Sequence, residues 1–274
     1  MDWLQAIVLG IVQGLTEFLP ISSSAHVSIV GQLFFEGRDP GAAFTAVTQL
    51  GTETAVLVYF RKDIWRIITH WVGSLRGTVE KGDPDARMGW LVIIGSIPIV
   101  VLGLLFQDAI DSTLRNLWIT VAMLAGVALV LAAADRVGER NVKDLKELSW
   151  RDGIVLGLCQ AAALIPGVSR SGATISGGLF LGFTREAAAR YAFLLAIPAV
   201  FGSGLYKLKD IGDDTAAAWG PTILATVLAF FIGYAVIAWL LRYISTHSFR
   251  VFVIYRLVIA AIVAALILAG VLTA

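Results

Sequence analysis

Two short polar segments interrupt a chain of 274 residues that is 58% hydrophobic. The first, residues 13–26, contains Glu17, a run of three serines and His26, and the second, residues 166–174, contains Arg170 between two serines. A carboxylate, an imidazole or a guanidinium at membrane depth is costly unless it is paired or hydrated, and such groups usually serve a function. We therefore expect these two segments to carry the chemistry of the protein.

The spacing within the first segment suits acid–base and metal chemistry. Gln13 and Glu17 are four residues apart and face one side of a helix, where Glu17 can bind a divalent cation or accept a proton, with Gln13 as a second candidate ligand. His26 follows Ser22 by four residues and Ser23 by three. An imidazole at that spacing can reach a serine hydroxyl and either activate it as a nucleophile or pass a proton to a leaving group.

Both segments are predicted to place a helix N-terminus inside the protein. In each, a half-helix begins just after a proline, and serines can cap its free backbone N–H groups: Ser22, Ser23, Ser24, Ser169 and Ser171. Two helix N-termini that face one pocket form a generic site for phosphate or carboxylate. Arg170 adds a planar fork suited to phosphate oxygens, and Thr174 lies on the same helical face. Together these groups suit the hydrolysis of a phosphoanhydride.

Each of these residues also has a structural interpretation. Serines after a proline often serve only as caps, and a single histidine can simply be hydrogen-bonded within a helix bundle. Glu17 and Arg170 can form an ion pair that holds the two segments together. Glu53 and Arg256 are the other charges within apolar stretches, and either can pair structurally or line the pocket. The functional interpretation therefore depends on the combination of residues.

The composition is that of a multispanning membrane protein. Mean hydropathy is +0.81 and charged residues make up 15% of the chain. A net charge of +1 offers no basic field for nucleic acid, and the single Cys159 excludes an intrachain disulfide and a cysteine metal cluster. Because Asp2 and Gln5 replace the basic start of a signal peptide, we expect the N-terminal stretch to be retained.

The apolar pattern predicts an all-α polytopic protein with six transmembrane helices and two re-entrant helical hairpins. The six spans are 42–60, 88–106, 117–134, 188–206, 220–241 and 251–272. Two further apolar stretches, 3–35 and 150–183, are each broken near the middle by proline and serines. Their halves are too short to span, so each stretch is expected to enter and leave by one face of the membrane.

The chain also contains an internal duplication. A pattern of Trp, Ile, Val, Leu, Gly and Gln recurs 147 positions later: Trp3, Ile7, Val8, Leu9, Gly10 and Gln13 match Trp150, Ile154, Val155, Leu156, Gly157 and Gln160. The single membrane domain, 1–274, is thus divided into repeat 1 (1–135) and repeat 2 (149–274). Since each repeat holds three spans, an odd number, the second lies inverted relative to the first. Chance similarity between two Leu/Val-rich segments is the alternative.

Basic residues predict the orientation of the two hairpins. The loops at 61–87, 135–151 and 242–250 hold thirteen lysines and arginines, whereas the remaining connecting loops hold four. The first set is cytoplasmic by the positive-inside rule. The N-terminal hairpin then enters from outside and the other from the cytoplasm. Their broken tips are predicted to meet near the midplane in a shared pocket.

The two polar segments resemble the motifs of the undecaprenyl-diphosphate phosphatase family, also called bacitracin-resistance proteins. The resemblance is carried by Gln-x-x-x-Glu running into Phe-Leu-Pro-x-Ser-Ser-x-x-His, and by Pro-Gly-x-Ser-Arg-Ser-Gly-Ala-Thr. Gln49-Leu50-Gly51 and Ile254-Tyr255-Arg256 are similar to secondary signatures of the same family. The resemblance covers the whole chain and implies the inverted-repeat fold.

The resemblance implies an enzyme that removes the terminal phosphate of undecaprenyl diphosphate at the outer face of the bacterial plasma membrane, with a divalent cation, Mg²⁺ or Ca²⁺. This activity recycles the lipid carrier for peptidoglycan synthesis and confers bacitracin resistance. The residues that match the motifs divide into an acidic and serine–histidine set, Glu17, Ser23 and His26, and a phosphate-binding set, Ser169, Arg170 and Thr174. The resemblance does not choose between a serine nucleophile and an activated water.

Two positions depart from the family pattern. Gln13 stands where many relatives have Glu, and Ala25 stands where a Gly often precedes the histidine. If two carboxylates are required, Glu53 is the expected substitute.

Other functions stay open at this point. Inverted repeats with broken helices are also used by transporters, so the pocket could flip a polyprenyl phosphate or carry an anion. A non-catalytic membrane scaffold is the third alternative. The expected partners are the lipid substrate and the bilayer, and a homodimer is one open oligomeric state.

Overall fold

The computed structural model describes residues 2–35, 41–211 and 218–273. Within these ranges the chain is helical, without β-strands, and an isolated bridge joins Lys143 to Phe183. The predicted all-α class is therefore confirmed. The α-helices of these ranges are α1 (Trp3–Thr16), α2 (Ser23–Phe34), α3 (Gly41–Tyr59), α4 (Arg61–Leu75), α5 (Pro84–Leu105), α6 (Gln107–Asp111), α7 (Leu117–Gly138), α8 (Trp150–Ala161), α9 (Arg170–Phe180), α10 (Arg185–Lys207), α11 (Trp219–Ile244) and α12 (Arg250–Leu268).

Five of the described helices are long and apolar enough to cross a membrane: α5, α7, α10, α11 and α12. They coincide with five of the six predicted spans. The sixth, at 42–60, is α3, which has 19 residues but is too polar to count as a span by composition. Its Thr48, Thr52 and Glu53 are buried, and α3 packs among α1, α10 and α11. Because these polar side chains contact protein and not lipid, α3 does not need an apolar surface.

The connection at 61–87, predicted as a loop, contains a helix that the apolar pattern missed. On α4, Trp65, Ile68 and Leu75 are exposed on one side of the helix, whereas the exposed Lys62 and Arg66 lie on another side. A helix with one apolar and one charged face is suited to lie in the membrane–water interface. The prediction was wrong here because the apolar residues of α4 recur at helical spacing and do not form a continuous run.

The two interrupted stretches form the predicted helical hairpins. α1 packs against α2 and α8 against α9, and these helices have 14, 12, 12 and 11 residues. At about 1.5 Å per residue, none reaches across the hydrocarbon core. At the elbows, Ser22 and Ser169 each have φ 73°, an unusual conformation for a residue with a Cβ atom. Backbone strain of this kind often marks a functional site.

Each hairpin packs against the opposite half of the chain through a glycine. α1 lies on α11, where a Cβ atom added at Gly10 would be 2.7 Å from Cα of Ala225. α8 lies on α5, where a Cβ atom added at Gly157 would be 2.5 Å from the carbonyl oxygen of Gly95. Gly10 and Gly157 are corresponding positions of the sequence duplication. The repeat boundaries themselves stay a prediction.

Replacing Gly157 with alanine is expected to lower the free energy of unfolding by about 1–3 kcal/mol, because the new methyl group would overlap the α5 backbone. Gly126→Ala is the matched control, since a Cβ atom there meets nothing within 4 Å and alanine favours the helix. Thermal unfolding in detergent measures the stability of both variants. Equal melting temperatures for the two variants would contradict the close approach of α8 and α5.

Candidate functional site

The structure brings the two polar segments together at the elbows of the hairpins. Arg170, the first residue of α9, donates from Nη2 to the carboxylate of Glu17, which follows α1 directly. Beside this ion pair, the hydroxyl of Ser171 donates to the backbone carbonyl of Leu19 at 3.0 Å. Both contacts join residues about 150 positions apart in the chain. The predicted meeting of the tips is therefore present in the structure.

Glu17 is the centre of the polar cluster. Its Oε1 accepts from Arg170, and its Oε2 accepts from the hydroxyl of Ser23 and, at 2.6 Å, from Nε2 of Gln13. Glu17 and Ser23 are both buried. The carboxylate thus touches a cation, a hydroxyl and an amide at once. A carboxylate hydrogen-bonded to a serine hydroxyl can take the proton of that serine when it attacks an electrophile.

The backbone N–H groups at the two helix N-termini differ in their capping. Ser169 caps α9, because its Oγ accepts from the backbone N–H of Gly172 at 3.1 Å. Ser22 precedes α2 without a side-chain capping bond, and its Oγ lies 3.4 Å from that of Ser24. The prediction that serines cap both helices is correct for Ser169 and wrong for Ser22. The backbone N–H groups at the start of α2 are consequently not occupied by a cap and can bind an anion.

A cavity of about 470 Å³ opens above these groups. Its floor contains Glu17, Arg170 and the serines that flank the elbows: Ser22, Ser23, Ser24 and Ser169. Its walls come from α3, α5 and α10 and are mostly apolar, whereas Arg115 and Lys207 stand near the far end. A polar floor below apolar walls suits a ligand with an anionic head and a hydrocarbon tail.

His26 is oriented differently from the prediction. Its Nδ1 donates to the carbonyl oxygen of Ser22 at 2.7 Å, and its Nε2 lies 2.9 Å from the hydroxyl of Tyr255, with the two rings stacked at 5.5 Å. His26 therefore contacts the backbone of the elbow and not a serine hydroxyl, and it does not line the cavity described above. Because the Ser22 carbonyl belongs to the residue with positive φ, His26 stabilises the strained elbow. Sequence spacing could not identify Tyr255 as its partner, since 229 positions separate the two.

Arg256 joins both elbows, and within the described ranges the hydrogen-bond partners of its side chain are backbone carbonyls and not carboxylates. The side chain is fully buried on α12 and donates to five backbone carbonyls, at 2.8–3.3 Å, those of Pro20, Met123, Leu124, Gly167 and Val168. Pro20 lies in the first elbow and Gly167 and Val168 in the second. Of the two roles that the sequence left open, the structure favours the structural one.

Several buried polar atoms of the two hairpins and of α3 have no hydrogen-bond partner among the described residues. They are Oε1 of Gln13, Oε1 of Glu53, both amide atoms of Gln160 and Oγ1 of Thr174. Thr174 and Ser171, predicted to bind phosphate, do not line the cavity. Thr174 follows Arg170 by one helical turn and is 1% exposed. Ser171 and Thr174 therefore support the residues that line the cavity without lining it themselves.

Comparison with known proteins agrees with the motifs. The family described as "Bacitracin resistance protein BacA" matches residues 6–262. The chain is 61% identical to the undecaprenyl-diphosphatase of Paenarthrobacter aurescens, over 94% of this chain and 95% of the relative. It is 62% identical to that of Kineococcus radiotolerans, over 100% and 97%, and 59% identical to undecaprenyl-diphosphatase 2 of Agrobacterium fabrum, over 100% and 99%. This chain therefore belongs to the BacA family of bacitracin resistance proteins.

Proposed function

We propose that this protein is an integral membrane phosphatase that hydrolyses undecaprenyl diphosphate to undecaprenyl phosphate and inorganic phosphate. The observation that carries the proposal is the Glu17 carboxylate, which is bonded to both Arg170 and the Ser23 hydroxyl at the floor of a cavity with apolar walls. The names of the relatives support the same substrate. This reaction returns the lipid carrier to peptidoglycan synthesis and accounts for bacitracin resistance.

The diphosphate is bound by groups that face the cavity floor. A guanidinium has five N–H donors, so Arg170 can hold Glu17 and phosphate oxygens at the same time. The uncapped N-terminus of α2 supplies backbone N–H groups to the same anion. The apolar walls of α5 and α10 accept the first part of the prenyl chain and exclude water, which strengthens each charge interaction at the floor.

The reaction begins with Ser23. Its hydroxyl proton passes to Glu17 while its oxygen attacks the terminal phosphorus, and the bond from phosphorus to the bridging oxygen breaks. Undecaprenyl phosphate departs as the leaving group. Water then cleaves the serine phosphate, releasing inorganic phosphate and restoring the hydroxyl. Arg170 stabilises the negative charge that develops on the transferred phosphoryl group. His26 acts by holding the elbow that carries Ser23.

The oxygen donors at the floor fit a divalent cation such as Mg²⁺ or Ca²⁺. Glu17 is a carboxylate, and Oε1 of Gln13 is a buried carbonyl oxygen without a protein partner in the described ranges. Hard cations of this kind bind oxygen ligands. When bound, the cation would neutralise charge on the transferred phosphate.

The cavity faces the outer side of the bacterial plasma membrane in this proposal. Gln107, Arg115 and Lys207, which line its far end, belong to the connections that are poor in basic residues. The thirteen basic residues of the opposite connections support a cytoplasmic location for that side. A homodimer stays a prediction.

Phosphate release from prenyl diphosphates by the purified protein in detergent tests the proposal. Ser23→Ala is expected to lower turnover at least about 100-fold, because it removes the nucleophile that Glu17 activates. Ser245→Ala, at an exposed serine that follows α11, is the control. A serine-linked phosphate should be detectable in wild-type protein that is quenched during turnover.

Near-normal turnover of a folded Ser23→Ala variant would instead assign the attack to water. The transporter alternative is separated in liposomes, where hydrolysis yields free phosphate and translocation does not. Lipid movement without phosphate release would refute the proposed function.

A further inference from the structure

Glu53 is a buried carboxylate that the proposed reaction does not use. It lies in the middle of α3 and is 1% exposed. Its Oε1 has no hydrogen-bond partner, and in the described part of the chain it forms no ion pair within 4 Å. Burying a carboxylate is costly unless a cation or hydrogen bonds compensate it. Glu53 therefore offers a buried carboxylate oxygen that a cation from outside the polypeptide can use.

The surroundings of Glu53 indicate what that partner is. The charges of Arg170 and Glu17, the ion pair at the cavity floor, both act on the Glu53 carboxyl, so Glu53 lies within electrostatic range of that pair. Gln49, one turn earlier on α3, lines the same cavity. Gln13, which donates to Glu17, also has a fully buried Oε1 without a partner. Two oxygens without a hydrogen-bond partner among the described residues therefore belong to side chains that interact with Glu17, one through a hydrogen bond and one electrostatically.

We propose that Glu53 is a ligand of a divalent cation and completes, with Oε1 of Gln13, an oxygen-donor site around Glu17, which is part of the cavity floor. Two carboxylates and an amide oxygen are the donors that Mg²⁺, Mn²⁺ and Ca²⁺ prefer. A cation at this site would coordinate both oxygens that lack a hydrogen-bond partner and would offset the negative charge of the second carboxylate. This inference rests on the proposed function only where it assigns the cation a role in turnover. Binding of the cation itself can be measured without substrate.

Mn²⁺ binding, followed by electron paramagnetic resonance of the purified protein without substrate, tests the site. All proteins carry His70→Gln, because His70, Asp83 and Asp85 form a separate group that could bind the probe. Glu53→Gln is expected to weaken Mn²⁺ binding at least about tenfold. The double variant Gln13→Glu/Glu53→Gln places the second carboxylate at position 13 instead of position 53. It is expected to regain most of the affinity for Mn²⁺. Glu186→Gln, at an exposed carboxylate on α10, is the control and should bind Mn²⁺ as the parent does.

Unchanged Mn²⁺ affinity in Glu53→Gln would overturn the inference, and so would failure of the double variant to bind more tightly than Glu53→Gln. If Glu53→Gln does not fold, Glu53→Asp replaces it, with weaker Mn²⁺ binding expected at an unchanged metal-free melting temperature. Wild-type affinity in Glu53→Asp together with a lower metal-free melting temperature would refute ligation. Mn²⁺ binding that depends on Glu53 in a protein that releases no phosphate would refute the proposed function and support this inference.

Discussion

Replacing Arg170 with alanine is expected to reduce phosphate release about 1,000-fold or more. Its guanidinium is the positive group bonded to Glu17 at the cavity floor, where the transferred phosphoryl group would lie. Removing one well-placed donor from such a site costs about 100- to 1,000-fold in turnover, and arginines that stabilise phosphoryl transfer contribute about 1,000-fold or more. Initial rates with a short-chain prenyl diphosphate in detergent measure the effect.

Arg170→Lys separates the charge of this group from its shape. Lysine keeps the positive charge near Glu17 but lacks the planar fork, so turnover should fall between that of wild type and Arg170→Ala. Because Arg170→Ala also leaves the Glu17 carboxylate unpaired, its folding must be checked by thermal unfolding. A folded Arg170→Ala protein with turnover within about threefold of wild type would exclude Arg170 from the reaction.

Replacing Arg256 with methionine is expected to produce the largest loss of stability of any single substitution considered. Methionine has similar length but no N–H groups, so five backbone carbonyls at the two elbows and on α7 lose a donor. An unsatisfied buried polar group costs about 1–3 kcal/mol, although several of these carbonyls retain other partners. We expect the free energy of unfolding to fall by at least about 3 kcal/mol.

The control for Arg256 lies on the same helix. Arg250 is the first residue of α12 and is exposed, so Arg250→Met should change the melting temperature little. Activity should also fall in Arg256→Met, because the elbows carry Ser23 and Arg170. Addition of a non-hydrolysable diphosphate should restore part of the lost stability, since ligand binding favours the assembled site. Equal melting temperatures for the two variants would contradict the bridging role of Arg256.

The secondary structure could be predicted largely from local sequence. Continuous apolar stretches correspond to α5, α7, α10, α11 and α12, because a helix that faces lipid must be apolar around most of its surface. The breaks at Pro20 and Pro166 gave the two hairpins, because proline cannot continue a helix. α3 has a polar interior face that hydropathy alone does not distinguish from a soluble helix, and α4 is amphipathic. The sequence predicted α3 as the span at 42–60, whereas it missed α4, because the apolar residues of α4 do not form a continuous run.

The chemistry of the site followed from residue types, whereas its hydrogen-bond partners did not. Sequence alone determined that a carboxylate, serines and an arginine interrupt an apolar chain, and this combination favoured a function that binds an anion within the membrane. Tertiary structure decided that Ser23 donates to Glu17 and that His26 donates to a backbone carbonyl. It also decided that Arg256 binds the two elbows and that Glu53 is buried within electrostatic range of Glu17 and Arg170. Such contacts join distant parts of the chain through the packing of helices, and local spacing carries no information about packing at that range.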